Sequence, residues 1–297
     1  MSESQNFLFP DGFACHGKRF KTNIRGLNLS YLKYENPNKP VIVMLHGFMD
    51  FSHSFDLLAN ELKDDYEIYV WDARGFGDTD WVHESGYYHF AEYVYDLDLF
   101  LNFINKEKYI LVGHSMGGII ASLYSSIFPE KISHLINLEG WFFRNPKTED
   151  APKKMKDWIL GIKNNKPSSA MKNLAEASDR LLKNDPFMTE EISLHLAHEG
   201  TKIIDDKYYW KHDSLHKTVA PTLTNIDQIK EFLKKIVVPT LLLKGNGQKN
   251  IFLNNSFVNG ESFFPNAKIV EIENAGHNLH LHQPEKIANL IKDFLLQ

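Results

Sequence analysis

The sequence predicts an α/β fold in which a mostly parallel sheet carries helices on both faces. Three observations say so: short β-type runs recur along the chain, several of them are apolar without alternation, and stretches of helical periodicity lie between them. A strand covered on both faces has no polar side to show, so a continuous apolar run marks burial in a parallel sheet.

Taken in order, residues 18–35 (KRFKTNIRGLNLSYLKYE) read as an antiparallel hairpin turning at Gly26. VIVML at 41–45 and EIYVW at 67–71 are the next strands. Residues 89–105 set Phe90, Tyr93, Val94, Leu97, Leu101 and Ile104 on one stripe, with Asp96 and Asp98 off it, which predicts an amphipathic helix. YILV at 109–112, HLINL at 134–138, TLLLK at 240–244 and KIVEI at 268–272 complete the strands. A final helix over 285–296 places Ile287, Leu290, Ile291, Phe294 and Leu295 on one side.

The alternation stops between Arg144 and Asn225, where MKDWILGIK, SAMKNLAEASDRLLK and EEISLHLAHEG carry helical patterns and no buried strand stands out. About eighty residues are too many for a loop. An insertion after a strand at one end of a parallel sheet falls where such folds bind ligands. Residues 144–225 are therefore expected to form a helical cap, with residues 1–143 and 226–297 as the core.

Composition narrows the function. The 297 residues, 43% apolar and 13% aromatic, suffice for one substantial core plus an inserted lid. A net charge of −5 gives no basic field for nucleic acid. The single cysteine, Cys15, excludes an internal disulfide and a multi-cysteine metal site, and its neighbour His16 suggests no further partner. The polar start MSESQNF lacks the apolar stretch of a signal peptide, and no apolar run is long enough to span a membrane. A cytoplasmic location is the expectation.

The chemistry concentrates in residues 109–128, which read strand, sharp turn, helix, with the turn Gly113-His114-Ser115-Met116-Gly117. A G-x-S-x-G match alone says little, but this context gives it meaning. Glycines two residues either side of the serine allow strand and helix to pack closely, and the serine must accept strained dihedrals. Its hydroxyl would stand above the carboxyl edge of the sheet at a helix N-terminus, where the Met116 N–H can stabilise a developing negative oxygen. Ser115 is the candidate nucleophile.

With this elbow the chain resembles the α/β-hydrolase superfamily, in a serine-hydrolase-like branch, over nearly its whole length. His46-Gly47-Phe48 after strand 41–45 is similar to the oxyanion loop, Asp72-Ala73-Arg74-Gly75-Phe76-Gly77 to a structural turn, and Ala275-Gly276-His277 to the histidine loop. The resemblance implies an α/β-hydrolase fold with an eight-stranded, mostly parallel sheet, the Phe48 amide as second oxyanion donor, and His277 as the base a serine hydroxyl needs.

In most relatives the orienting carboxylate follows the strand that corresponds to TLLLK. Here Gly245-Asn246-Gly247-Gln248-Lys249-Asn250 offers no acid, and Gln248 stands where Asp is expected. Glu139, closing the apolar strand HLINL before Gly140, is the replacement candidate, since a carboxylate at such a position needs a partner. Some superfamily members place their acid after this strand, and the order Ser, Glu, His is kept. Substitution of Gln248 is expected to leave turnover almost unchanged.

Serine at the elbow excludes the haloalkane dehalogenase and epoxide hydrolase chemistries, which need Asp there. The expected activity is hydrolysis of a carboxylic ester or related acyl bond by Ser115, His277 and Glu139 through an acyl-enzyme. Two alternatives stay open: acyl transfer to another nucleophile, and a non-catalytic small-molecule receptor on the same fold. His46, Trp141, Phe142 and Phe143 are candidates for lining the substrate pocket, and Tyr208, Tyr209 and Trp210 add aromatics in the insertion. No cofactor or metal is expected: Gly75-Phe76-Gly77 lacks the third glycine of a dinucleotide fingerprint, and His280 and His282 beside His277 have no supporting ligand cluster in sequence, so they read as packing or loop-holding residues.

Overall fold

The computed structural model describes residues 15–83, 85–222, 224–247 and 257–297; Gln248, Lys249 and Asn250 lie outside them. The elements are β1 (Lys18–Ile24), β2 (Leu27–Tyr34), β3 (Val41–Leu45), α1 (Asp56–Leu62), β4 (Glu67–Trp71), α2 (Phe90–Ile104), β5 (Tyr109–His114), α3 (Met116–Ile127), β6 (Ile132–Leu138) and β7 (Phe142–Arg144). They continue as α4 (Ala151–Lys163), α5 (Leu174–Asn184), α6 (Glu190–Gly200), β8 (Thr201–Ile204), β9 (Lys207–Trp210) and α7 (Ile226–Leu233). The chain closes with β10 (Thr240–Gly245), β11 (Phe257–Asn259), β12 (Ala267–Ile272), α8 (Leu279–His282) and α9 (Pro284–Leu295).

Eight strands form one sheet in the order β1-β2-β4-β3-β5-β6-β10-β12, and all pairs are parallel except β1 with β2 and β2 with β4. The chain moves outward from β3 to β4, then returns to place β5 on β3's other side. The carboxyl ends of β3 and β5 therefore flank the point where strand order reverses, the crevice such sheets use for ligands.

Strand side chains alternate between two cores. Val41, Val43, Leu45, Leu111, Leu135 and Leu242 face α2, α3 and α7, packing with Leu97, Phe100, Ile120, Tyr124 and Leu233. Ile42, Met44, Ile110, Val112, Ile136, Leu241 and Leu243 face α1 and α9, packing with Leu58, Leu62, Ile287, Ile291 and Phe294. Period two with both faces buried is why the strands read as unbroken apolar runs. Each large side chain so buried contributes about 1.5–3 kcal/mol, and truncating a fully enclosed one such as Leu111 to Ala costs about 2–5 kcal/mol.

Three departures from expectation have physical reasons. The stripe of α2 is rotated: Phe90 is exposed, while Asp96 is buried because its Oδ1 accepts from Arg74 Nη2 at 2.6 Å. The predicted helix over 169–183 begins only at Leu174, after Asn173 caps it by accepting the Glu176 N–H at 2.9 Å. Residues 144–225 are not all helical either. Antiparallel β8 and β9 turn at Asp205 and Asp206, which take φ of 48° and 58°, so the aromatics of 208–210 lie in a strand. Asp-Asp lacks the glycine that marks such hairpins in sequence, although Asp tolerates the left-handed region. Among the described residues, no helix is long and apolar enough to cross a membrane.

Candidate active site

The elbow forms as its glycines require. Ser115 takes φ 49° and ψ −113°, between the end of β5 and the first turn of α3. A Cβ on Gly113 would come within 2.4 Å of the Gly117 carbonyl oxygen, and one on Gly117 within 2.0 Å of the Leu45 oxygen. Only bare backbone fits where β3, β5 and α3 meet. A non-glycine residue in this backbone region costs about 1–3 kcal/mol. Hydrogen bonds from Ser115 N to Leu138 O (2.9 Å) and from Ile119 N to Ser115 O (3.1 Å) hold it there.

Glu139 repeats the pattern one strand away. It ends β6 with φ 54°, is buried, and its N–H bonds the Leu243 carbonyl at 3.1 Å. Its Oε1 accepts from the Gly245 N–H at 2.8 Å and its Oε2 from His277 Nδ1 at 2.8 Å. With Nδ1 donating to the carboxylate, Nε2 of a neutral His277 is the basic nitrogen. Asn137 clamps this turn to the elbow: its Oδ1 accepts from Gly140 N at 2.7 Å, and its Nδ2 donates to Gly118 O at 3.1 Å and Ser122 Oγ at 2.9 Å. A buried amide in an apolar strand demands such partners, so the signal was in the sequence.

The loop after β3 lies over the serine. A Cβ on Gly47 would meet His114 Nδ1 at 2.7 Å and Ser115 Cβ at 3.5 Å. His46 is fully buried. Its Nε2 accepts from Ala73 N at 2.9 Å, so its Nδ1 carries the proton and donates to the Gly47 carbonyl at 2.7 Å. Both ring nitrogens are thus spent on backbone, and His46 shapes the loop rather than offering a polar group to a pocket. Of the aromatic candidates, Trp141 and Phe143 are buried in the core and Phe142 is half-buried. Phe48 is 52% exposed and Met116 is buried.

Behind the imidazole, His114 Nε2 bonds the His277 carbonyl oxygen at 2.9 Å, and its ring lies 4.7 Å from that of His277 and 4.4 Å from that of His280. Burial, with His280 and His277 adding to it, keeps the His114 pKa well below its ordinary value; burial likewise lowers that of His280 to about 3. His282 Nδ1 accepts from Gly276 N at 3.1 Å, and its Nε2 donates to Asp185 Oδ2 at 3.0 Å; Asn278 Nδ2 donates to the same oxygen at 2.7 Å. Asp185, which sequence reasoning missed, thereby ties the segment after His277 to the stretch between α5 and α6.

Among the described residues, two clusters carry ligand-type atoms within 4.8 Å of one another: Asp50 with His114 and His280, and Cys15 with His53 and Asp56. Cys15 has partners after all, and His16 is not among them: its thiol donates to Asp56 Oδ1 at 3.3 Å.

A family described as alpha/beta hydrolase fold matches residues 40–284. The chain is 25% identical over 264 residues to "Serine hydrolase-like protein" of Danio rerio, covering 86% of this chain and 81% of that one. It is also 25% identical over 293 residues to "Cis-3-alkyl-4-alkyloxetan-2-one decarboxylase" of Shewanella oneidensis, covering 94% and 89%. Among solved structures, the "Thioesterase Domain From Curacin Biosynthetic Pathway" is similar with a TM-score of 0.83 and 23% identity, over 93% of this chain and 99% of that one.

Proposed function

The chain belongs to the α/β-hydrolase fold family and is a hydrolase of that fold; on that premise we propose that it cleaves a carboxylic ester or related acyl bond through an acyl-enzyme on Ser115. The observation that carries the reading is the buried Glu139 carboxylate, bonded at 2.8 Å to His277 Nδ1 and at 2.8 Å to the Gly245 N–H, one strand from the strained serine. Ser115 Oγ attacks the acyl carbon while His277 Nε2 takes its proton, and the resulting imidazolium is stabilised by Glu139. The oxyanion takes hydrogen bonds from the backbone N–H groups of Met116 and Phe48. Collapse expels the alcohol, which receives the proton from Nε2. A water then repeats the sequence, releasing the acid and restoring Ser115. The neutral state of His114 favours this cycle, because a second cation beside His277 would oppose the imidazolium.

In the same reading residues 144–225 cap the site, and the substrate is a small acyl compound admitted beneath them. The tie from Asp185 to Asn278 and His282 supports a cap held against the histidine loop. Labelling with a fluorophosphonate tests the proposal: Ser115 is expected to react under native conditions, and Ser115→Ala to lose both label and ester turnover. An unlabelled, inert wild-type protein would instead favour a receptor.

A further inference from the structure

We infer that α4 is a docking helix for an anionic bilayer surface. Every other described α-helix buries at least one side chain; α4 buries none. Its apolar surface is only partly covered by the rest of the molecule. Lys154, Asp157, Trp158 and Gly161 lie on the half-buried side, with Trp158 edge-on to Tyr87 at 5.5 Å and Gly161 against Thr218. The outward face carries Met155, Ile159 and Ile162 at i, i+4 and i+7, which are 42%, 41% and 37% exposed, with Leu160 at 43%. An amphipathic helix that turns its apolar stripe to water is complete only when something apolar covers it.

Charge selects the occupant. Lys156 and Lys163 each follow a stripe residue directly and run alongside it, and both are exposed. Over residues 147–166 six lysines (147, 153, 154, 156, 163 and 166) face three acids (149, 150 and 157), in a chain whose net charge is −5. A second copy meeting this face about a two-fold axis would set lysine against lysine. A bilayer rich in anionic lipid offers an apolar interior for the stripe and opposite charge for its flanks, which is the pattern of an interfacial helix. The site senses this helix through few intermediaries: Asn165 Nδ2 donates to Ser214 Oγ at 2.8 Å, and His216, in the same short turn, stacks on Phe76 at 3.9 Å and meets Phe48 edge-on at 6.1 Å. Docking would therefore present the oxyanion-loop side of the molecule to acyl compounds held in a membrane.

The test is sedimentation of the full chain with vesicles of phosphatidylcholine alone and of phosphatidylcholine with about 30% phosphatidylglycerol. The protein is expected to pellet with the anionic vesicles at low salt, to be released as salt rises, and to ignore the neutral ones. The double variant Lys156→Glu with Lys163→Glu is expected to lose at least about tenfold in affinity, and Met155→Glu with Ile159→Glu to lose binding altogether. Thermal melting checks that each variant folds, and the lysine pair, wholly at the surface, decides the matter if the apolar pair does not. Failure to bind anionic vesicles, undiminished binding by the lysine variant, or a wild-type dimer that Met155→Glu with Ile159→Glu dissociates would each overturn the proposal. None of these readouts depends on turnover at Ser115.

Discussion

Among the described residues, the histidine–carboxylate clusters at Glu139 and at Asp56 look alike on paper and differ in how many donors share the carboxylate. At Glu139 the carboxylate is shared between one imidazole and one backbone N–H, and the His277 side chain is 22% exposed. At Asp56 a buried carboxylate collects four donors: Cys15 Sγ and Tyr34 OH on Oδ1, His53 Nδ1 and His195 Nε2 on Oδ2. His53 also turns its Nε2 to Glu199, at 3.2 Å. Burial opposes the charge on His53, but the bond to Asp56 and the pull of Glu199 outweigh it and raise its pKa to about 10. Burial likewise works against the Asp56 carboxylate, yet its bonds to His195 and His53 hold its pKa far below the ordinary value. An imidazole held by carboxylates at both nitrogens stays protonated at neutral pH and cannot act as a base there. The Asp56 cluster thus joins α6 to the start of α1, whereas the Glu139 pair joins the end of β6 to the loop before α8 and is the one proposed to move a proton.

That contrast is open to experiment, beginning with the largest effect. Ser115→Ala is expected to lower ester kcat by up to about 10⁶-fold with the melting temperature little changed, whereas no substitution in the Asp56 cluster should do this to folded protein. Glu139→Gln should lower kcat by about 10³–10⁴-fold while leaving Tm nearly as it was, and full activity in this variant would sink the assignment of the acid. Asp56→Asn should do the opposite. It takes the carboxylate shared by buried His53 and His195 and leaves His53 only the partly exposed Glu199, so urea unfolding should show a loss of about 3–5 kcal/mol, with turnover per folded molecule preserved.

A smaller effect is expected from pH. Because the folded pKa of His53 is raised to about 10, its contribution to stability is complete below the unfolded value of about 6.5 and drains away as pH climbs toward 10. Unfolding free energy should therefore fall on the order of 2–3 kcal/mol between neutral and alkaline pH, and His53→Gln should flatten that slope. The Asp56 contribution has the other sign: present above about pH 4 and lost only as acid protonates the carboxylate. The smallest change should come from Asn137→Ala, where kcat falls about tenfold or more as the Glu139 turn loosens; a fall in stability with kcat intact would make Asn137 purely structural.

What could be read in advance depended on whether the signal was local. The runs at 41–45 and 67–71 coincide with β3 and β4 because an interior strand must be apolar on both faces, whatever lies next to it. The serine turn was legible because Gly113, Ser115 and Gly117 stand within five residues of one another, although the clash that requires Gly117 is with Leu45 of the neighbouring strand. By contrast, the hairpin at 205 and 206 was missed because aspartates occupy its turn, and Cys15 looked partnerless because its partner stands 41 positions away. His46 resembled a pocket residue until its two nitrogens were found on the backbone of Gly47 and Ala73.

The amino-acid sequence by itself determined the alternation of strands and helices, the serine on its tight turn, and a supply of histidines and acids from which pairs could be made. Only the tertiary structure decided which pairs: Glu139 meets His277 across 138 positions of chain, and His195 reaches Asp56 across 139. The physical reason is that backbone geometry is dictated by neighbours a few residues apart, whereas a hydrogen bond demands an approach of about 3 Å that packing alone delivers to groups so distant in sequence.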